Sequence, residues 1–373
     1  MKIVILGLSI TSSWGNGHAT TYRGLVRELA ARGHDVLFLE RDVPWYADNR
    51  DAPRLAAGAV ALYRSFAELK RRHGRDVREA DAVIVGSFVP EGIAVGEWVL
   101  GAARGVTAFY DIDTPVTLAA LEGGRCEYLS RELVRRYDVY LSFTGGPTLR
   151  RIEREFGSPC ARALYCSVDL AHYFPERREP RWDLGYLGTF SEDRQPTLER
   201  LLVSPAQRWP EGRFIIAGPQ YPRGIAWPRN VRRVQHLAPD RHRRFYNEQR
   251  FTLNVTRANM IAAGYSPSVR LFEAAACGTP IISDYWPGLE ELFLPGREVL
   301  LGRTSGEVLS YLRELSAEDA RAIGEAAREK VMTAHTAAHR AAELEKHLDA
   351  VANHSHPEEN GENATEYAGR ATG

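Results

Sequence analysis

A predicted helix start in the second half of the chain carries polar groups that suit a phosphorylated ligand. Ser266 and Pro267 open this helix and Gly278 ends it, since serine favours the N-cap and proline the first helical position. The free backbone N–H groups at such an end attract anions. Arg270 adds a guanidinium fork for phosphate oxygens. We therefore predict a phosphate site here, to which Ser268 contributes.

Glu273 follows three residues after Arg270, in an otherwise apolar stretch of the same predicted helix. A carboxylate in apolar surroundings is unfavourable unless it accepts hydrogen bonds, and the two hydroxyls of a ribose would supply them. The alternative is an i,i+3 ion pair between Arg270 and Glu273 that only stabilises the helix. The residue types alone leave both interpretations open.

Residues 266–280 read Ser-Pro-Ser-Val-Arg-Leu-Phe-Glu-Ala-Ala-Ala-Cys-Gly-Thr-Pro, and a Trp-Pro-Gly-Leu-Glu-Glu stretch follows. This segment resembles the nucleotide-sugar site of group 1 glycosyltransferases with the GT-B fold, most of all the branch of the CgeB-like spore maturation proteins. The resemblance implies that the helix start binds the donor diphosphate and that Glu273 binds the donor ribose. Typical members carry a second glutamate near the donor sugar, where this chain has Tyr265.

A short loop opens the second half of the predicted fold. Gly188 and Thr189 end a predicted strand, and glycine lets the backbone approach a phosphate closely. We predict that they face the distal phosphate, with Arg194 in reach; a plain βα turn is the alternative. Two later strand ends hold four further residues that we predict on the donor side: His236, Leu237, Thr256 and Arg257. By the same resemblance, His236 and Leu237 contact the nucleotide base.

A glycine-containing loop also follows the first predicted strand, with Gly15, Asn16 and Gly17 before His18. In the resemblance this loop faces the acceptor, and His18 could polarise a hydroxyl; a polar helix-start residue is the alternative. Together with Glu40, the glycines also make two-thirds of a dinucleotide-binding fingerprint. An NAD- or FAD-dependent oxidoreductase is therefore an alternative function.

Two aspartates follow another predicted strand, at positions 111 and 113. An Asp-x-Asp pair can hold a divalent metal and a diphosphate in the one-domain GT-A glycosyltransferases, but that fold does not explain residues 266–280. We favour Asp113 as the base that acts on the acceptor hydroxyl. The alternative is an N-cap for the helix that begins beside Pro115. No metal site is predicted.

The elements that must position these residues alternate between short apolar strands and amphipathic helices. This pattern predicts an α/β fold of two tandem Rossmann-like domains, which is the GT-B architecture with an interdomain cleft and C-terminal helices. The predicted divisions are a Rossmann-like acceptor-side domain, a nucleotide-sugar donor domain, a C-terminal helix and a disordered tail, over residues 1–168, 183–335, 336–351 and 352–373. The strands predicted in the first half lie at residues 2–8, 35–40, 81–87, 106–111, 138–143 and 161–166.

The overall composition limits the possible partners and compartments. There are 48 basic and 48 acidic residues, so the formal net charge is zero and binding of nucleic acid through a general positive field is not expected. Four cysteines without metal-ligand spacing indicate a reducing compartment. No stretch is apolar for long enough to cross a membrane. We predict a cytoplasmic protein without a transmembrane segment.

The combined prediction is a glycosyltransferase of the hexosyltransferase type (EC 2.4), retaining and independent of metal ions. It would move a sugar from a nucleotide-diphosphate sugar, which serves as co-substrate, to the hydroxyl of an unknown acceptor, with no further cofactor. Besides the oxidoreductase, two alternatives remain: a nucleotide-binding GT-B protein without catalytic activity, and an epimerase that needs no acceptor.

Overall fold

The strands form where short runs of β-branched and aromatic residues occur. The computed structural model describes residues 1–14, 17–52, 54–55 and 57–355. Within the first strand, Ile3 and Ile5 pack into one hydrophobic cluster, whereas Val4 and Leu6 pack into another. Because successive side chains point to opposite faces, both faces of this sheet are covered, as expected for parallel strands.

The first domain is built on a sheet of seven described strands. They are β1 (Lys2–Gly7), β2 (Asp35–Arg41), β3 (Ala59–Tyr63), β4 (Ala82–Gly86), β5 (Val106–Asp111), β6 (Val139–Ser142) and β7 (Ala161–Ala163). All neighbours pair in parallel, in the order β3-β2-β1-β4-β5-β6-β7. The order reverses beside β1, which is where open α/β sheets bind ligands.

Helices connect these strands and cover both faces of the sheet. They are α1 (His18–Ala31), α2 (Pro44–Ala47), α3 (Phe66–Glu79), α4 (Gly92–Ala102), α5 (Thr114–Glu122), α6 (Arg131–Arg136) and α7 (Pro147–Glu155). In α1, Tyr22, Leu25, Val26 and Leu29 are buried, which confirms the amphipathic pattern that their spacing predicts.

The second domain repeats this arrangement with six described parallel strands. They are β8 (Trp182–Leu187), β9 (Phe214–Ala217), β10 (Val231–Val234), β11 (Gln249–Asn254), β12 (Ile281–Ser283) and β13 (Leu300–Leu301). Their order is β10-β9-β8-β11-β12-β13. The helices are α8 (Gln195–Leu198), α9 (Ser204–Arg208), α10 (His242–Asn247), α11 (Ala258–Ala263), α12 (Val269–Ala276), α13 (Leu289–Leu292) and α14 (Ser305–Glu314). A π-helical turn, Glu199–Val203, joins α8 to α9.

Two segments cross between the domains and bond to each other. Beyond β7, the N–H of Val168 donates to the carbonyl of His335 at 3.3 Å, and the N–H of Ala337 donates to the carbonyl of Val168 at 2.9 Å. These contacts lie where α15 (Ala317–Ala334) is followed by α16 (Ala337–Ser355). Glu345 in α16 accepts hydrogen bonds from Arg32, 2.6 and 2.8 Å long. The last helix therefore returns to the first domain.

The structure corrects two parts of the sequence analysis. The disordered tail was predicted from residue 352, but residues 352–355 belong to α16, which continues to Ser355. The rest of that predicted segment, residues 356–373, lies outside the described residues. The prediction also missed β3 and α3. The strand β3 is an edge strand of partly exposed residues, and α3 buries only Leu69, His73 and Val77 among many charged residues, so neither shows a strong apolar signal. The predicted domain limits themselves stay predictions.

Candidate functional site

The carboxyl ends of the two sheets face each other and enclose a cavity of about 110 Å³. Both domains contribute to its wall, which is lined by Ser13, Gly17, Thr20, Leu187, Gly188, Thr189, Gly218, Pro219, His236, Leu237, Pro239, His242 and Arg270. Open α/β sheets bind ligands in this position, outside the carboxyl ends of their strands. The fold thus brings together six residues predicted from distant parts of the sequence: Gly17, Gly188, Thr189, His236, Leu237 and Arg270.

Two glycines allow the loops after β8 and β9 to touch. The N–H of Gly188 donates to the carbonyl of Ala217 at 2.9 Å. A Cβ atom on Gly218 would lie 1.9 Å from the carbonyl oxygen of Gly188, a distance that no side chain tolerates. Because both positions exclude a bulky side chain, main-chain atoms form this part of the cavity wall, as in sites that cradle phosphate.

Arg270 has a buried guanidinium nitrogen that lacks a partner. It lies in the first turn of α12, and its backbone N–H donates to the hydroxyl of Ser268 at 3.4 Å. Its Nε atom is buried and has no hydrogen-bond partner among the described residues, which include Glu273. No ion pair between Arg270 and Glu273 is formed, and the Glu273 oxygens accept hydrogen bonds from tyrosines instead. A buried N–H donor without a partner is unfavourable, so this geometry favours an anionic ligand in the cavity.

The predicted cap of this helix is wrong by two residues. Ser268 is the N-cap of α12, and the hydroxyl of Ser266 lies 2.9 Å from that of Thr144 in the first domain. Next to it, the N–H of Gly145 donates to the carbonyl of Tyr265 at 2.9 Å. Because these contacts hold the segment against the first domain, it cannot adopt the cap geometry. Ser266 is an interdomain contact and does not line the cavity.

Glu273 is buried, and both of its carboxylate oxygens accept hydrogen bonds from tyrosines. The Tyr173 hydroxyl lies 2.9 Å from Oε1 and the Tyr246 hydroxyl 3.1 Å from Oε2. His242, in the cavity wall, lies with Nδ1 3.2 Å from the Tyr173 oxygen and Nε2 3.1 Å from the carbonyl of Leu237. Burial lowers the pKa of His242. The sequence analysis missed all three partners of this network, because tyrosine and histidine carry no spacing signal.

Arg194 and Thr256 both form hydrogen bonds within the second domain, but only Arg194 keeps a donor atom without a described partner. Arg194 donates through Nη2 to the carbonyl of Thr189 at 2.6 Å, while its Nε is buried without a partner among the described residues. Thr256 uses both its donors on Asp284, its N–H at 2.9 Å and its hydroxyl at 2.8 Å. Arg194 thus keeps capacity for an anion beside the Gly188 loop, whereas Thr256 holds the loop after β11 in place.

Asp113 and Arg257 form an ion pair between the domains, with Oδ2 and Nη1 3.1 Å apart. Asp113 occupies the N-cap position of α5, but its side chain makes no capping bond. Burial raises the pKa of Asp113 to about 6. His18 lies at the start of α1 beside Phe88 and Phe143, and burial, followed by the charge of Arg257, lowers its pKa to about 4. At neutral pH the carboxyl is ionised and the imidazole is neutral.

The groups expected for a dinucleotide are used elsewhere. The Glu40 carboxylate is fully buried and accepts hydrogen bonds from the N–H groups of Ile10 and Thr11, at 2.7 and 2.9 Å. The hydroxyls of Thr11 and Ser9 add bonds of 2.6 and 3.1 Å. Glu40 thus holds the loop after β1 and cannot also receive a cofactor ribose, so the oxidoreductase alternative is not favoured. The predicted loop residues Gly15 and Asn16 lie outside the described residues.

The two aspartates at the end of β5 and directly beyond it do not act as a pair. Asp111 is fully buried and accepts hydrogen bonds from Tyr140 at 2.5 Å and Thr117 at 2.7 Å, while the Asp113 side chain turns towards the second domain. Among residues 1–14, 17–52, 54–55 and 57–355, no group of three or more His, Cys, Asp or Glu side chains is arranged to hold a metal ion.

Comparisons with known proteins agree with this architecture. The family described as "Glycosyl transferase-like" matches residues 194–346, the part that carries α12. No curated protein matches the sequence. Sucrose-phosphate synthase from Thermosynechococcus elongatus is similar in structure, with a TM-score of 0.64 and 15% identity over 94% of this chain and 100% of that one.

Two further solved structures are similar over the same share of the chain. HepE from Anabaena, in complex with UDP and glucose, has a TM-score of 0.68 at 13% identity, over 94% of this chain and 100% of that one. An alpha-glucosyltransferase in complex with UDP has a TM-score of 0.68 at 12% identity, over 94% and 99%. These similarities show that the chain has the GT-B fold. None of the described helices is both long and apolar enough to span a membrane.

Proposed function

We propose that this protein is a glycosyltransferase that moves a sugar from a nucleoside diphosphate sugar to an acceptor hydroxyl. The observation that carries the proposal is the buried, unpartnered Nε of Arg270 at the start of α12, in the wall of the interdomain cavity. A diphosphate would satisfy it, and the nearby Gly188 and Gly218 loops leave room for phosphate oxygens.

The nature of the donor is proposed from the comparisons. HepE and the alpha-glucosyltransferase were solved with UDP, and HepE also with UDP-glucose. A uridine diphosphate hexose is therefore the first donor to test, and we propose a hexosyl transfer of class EC 2.4. The match of residues 194–346 to a glycosyl transferase-like family supports glycosyl transfer. From the resemblance of residues 266–280 we also propose that the chain belongs to the CgeB-like branch.

In the proposed reaction the acceptor oxygen bonds to the anomeric carbon of the donor sugar. The bond from that carbon to the oxygen of the distal phosphate breaks, and its electron pair leaves with the nucleoside diphosphate. Arg270 and Arg194 would offset the negative charge that develops on this leaving group. Because the guanidiniums supply positive charge in place, we propose that the transfer needs no metal ion. The ionised Asp113 would take the proton of the acceptor hydroxyl, and the neutral His18 would be a second polar group on the acceptor side.

Retention of the anomeric configuration is proposed from the resemblance, and Tyr265 bears on it. This residue stands where typical members have their first glutamate, near the donor sugar. Its ring packs against two glycines, because a Cβ on Gly146 or Gly288 would come within 2.4 or 2.5 Å of it. Tyr265 thus fills space at the contact between the domains, and this side chain does not offer a carboxylate to the sugar.

The first test is a thermal-shift panel of the uridine, guanosine, adenosine, thymidine and cytidine diphosphates beside NAD and FAD, with and without magnesium. A ligand at about 100 times its dissociation constant stabilises the folded state by about 2.7 kcal/mol. We expect a shift with one diphosphate, and none with the dinucleotides. A shift with NAD or FAD alone would overturn the proposal. Release of the diphosphate from its glucose conjugate, followed by product analysis, then separates transfer from epimerisation and from binding without turnover.

A further inference from the structure

A second cavity, of about 590 Å³, lies between α5 and α7 of the first domain and α11 of the second. The helices α5 and α7 follow β5 and β6, whereas the wall of the first cavity includes the loop after β1. In the sheet order β1-β4-β5-β6, these loops are two and three strands apart, or about 10–15 Å. The two cavities therefore lie at different positions along the cleft, and Asp113 directly precedes α5, one of the helices that line the second cavity.

This second cavity, which we refer to as the α5–α7–α11 groove, is open to solvent and is lined in part by apolar residues. We call these residues its floor: Pro115, Leu118, Ala119, Pro147, Ala262 and Ala263, of which Ala119, Pro147 and Ala262 are exposed. Its volume falls within the range of about 300–1,000 Å³ that is typical of small-molecule sites. An apolar floor of this kind accommodates hydrocarbon or the face of a ring, and gives no reason for a purely ionic ligand.

Charged residues form the rim of the groove, and two of its exposed arginines have no ion pair with a described residue. Arg151 pairs with Glu122 and with Glu155, the latter at 2.9 Å. Arg150 and Arg154 also line the groove, and neither forms an ion pair with any residue that the structure describes. They are four residues apart on α7 and thus neighbours on one helix face. Two guanidiniums at this spacing suit a single phosphate or carboxylate group.

We propose that the α5–α7–α11 groove binds the acceptor, and that the acceptor is an amphiphile with an anionic group. Its phosphate or carboxylate would contact Arg150 and Arg154, and its apolar part would lie on the floor of the groove. The hydroxyl to be glycosylated would then extend along the cleft towards Asp113. This inference rests on the proposed glycosyl transfer and adds the chemical class of the acceptor.

The test measures binding of four probes by calorimetry: n-octyl phosphate, n-octyl glucoside, inorganic phosphate and a short DNA duplex. The variant Arg150→Glu/Arg154→Glu reverses the charge of the rim. The matched control is Arg71→Glu/Arg321→Glu, which makes the same change in net charge at two exposed arginines without ion pairs to the described residues. Thermal shifts with UDP are recorded for all three proteins.

We expect octyl phosphate to bind the unsubstituted protein more tightly than the other three probes do. Its dissociation constant should rise at least about tenfold in the rim variant and stay unchanged in the control. Absence of binding, an equal loss in both variants, or equally tight binding of inorganic phosphate would overturn the inference. Preferential binding of the duplex would overturn it in favour of a polyanion. A UDP shift in every variant separates a failure of this inference from a failure of the proposed function, whereas no shift with UDP or with any other nucleoside diphosphate of the panel contradicts that function itself.

Discussion

The two sheets have corresponding strand orders, but the polar groups at their cleft-facing edges differ in whether they have hydrogen-bond partners. In the first domain, the loop after β1 is tied to Glu40, whose carboxylate accepts four hydrogen bonds. In the second domain, the Gly188 loop and α12 leave guanidinium nitrogens of Arg194 and Arg270 buried without partners. Strand order therefore positions both sets of loops, and the buried guanidinium nitrogens without a described partner mark the second edge as the place for an anion.

The largest effect on stability is expected at the edge of the first domain, where Glu40 accepts four hydrogen bonds. Substitution Glu40→Ala leaves two backbone N–H groups and two hydroxyls without their acceptor in a buried loop, and should lower the free energy of unfolding by about 3–4 kcal/mol. Urea unfolding followed by circular dichroism measures this change. The control is Asp35→Ala, at the exposed end of the same strand. If Glu40→Ala and Asp35→Ala unfold at the same urea concentration, the hydrogen bonds to Glu40 do not stabilise the first edge, and the proposed difference between the two edges is wrong.

The next largest effect is expected on ligand binding at the edge of the second domain, where the Nε of Arg270 has no described partner. We expect Arg270→Ala to weaken binding of the preferred diphosphate about 10- to 100-fold, since hydrogen bonds to a charged group contribute about 1.5–3 kcal/mol. Without ligand its melting temperature should not fall, because no described partner is lost. Arg297→Ala, an exposed residue of the same domain, serves as control. Calorimetric titration decides the matter, and an unfolded Arg270→Ala protein would mean that the side chain has a structural role.

A smaller effect tests whether Glu273 behaves like Glu40. Tyr173→Phe removes one hydrogen bond to the buried carboxylate and should lower the free energy of unfolding by about 1 kcal/mol. Tyr63→Phe is the matched control, because the Tyr63 hydroxyl is buried without a described partner, and its loss should not destabilise the protein. Chemical unfolding of both variants gives the comparison. If Tyr173→Phe is as stable as Tyr63→Phe, the hydrogen bond from Tyr173 does not stabilise the fold. Glu273 would then resemble the groups without a partner and be available to a ligand.

The smallest effect concerns the ion pair that joins the two edges. If Asp113 is the base, the rate should rise with pH through its pKa of about 6. Because Arg257 lowers that pKa, Arg257→Ala should move the rise to higher pH, by an amount equivalent to at most about 1 kcal/mol for such a partly exposed pair. Rates of transfer measured between pH 5 and 8 test this. In Asp113→Asn the dependence should disappear; a persisting rise would exclude Asp113 as the base.

Protein stability supplies a second readout for the same carboxyl. The pKa of Asp113 is higher in the folded protein, about 6, than the ordinary value of 3.8. Between these values the folded state binds more protons than the unfolded state does, so stability falls as pH rises through this window. The fall should be absent in Asp113→Asn, which cannot ionise. Unfolding midpoints across the same pH range measure it.

The parts of the site that could be predicted from the sequence are those with local signals. Strands of β-branched residues have a recognisable pattern, and Gly278 marks the end of α12. The start of this helix was predicted two residues too early, but Arg270 still lies in its first turn. The network of Tyr173, Tyr246 and His242 could not be predicted, because tertiary packing brings these side chains to Glu273 from elsewhere in the chain. Edge strand β3 was missed for the related reason that partial burial weakens its pattern.

The return of α16 to the first domain has a consequence for how the protein is made. The second domain is an insertion, placed between two parts of the chain that fold against each other. During synthesis from the N-terminus, all the described strands of the first domain are made before the second domain. The surface of α1 that α16 contacts stays uncovered until the ribosome has also produced the second domain. The last helix thus acts as the final closing step of the first domain, and a chain that stops after α15 would leave an exposed apolar face.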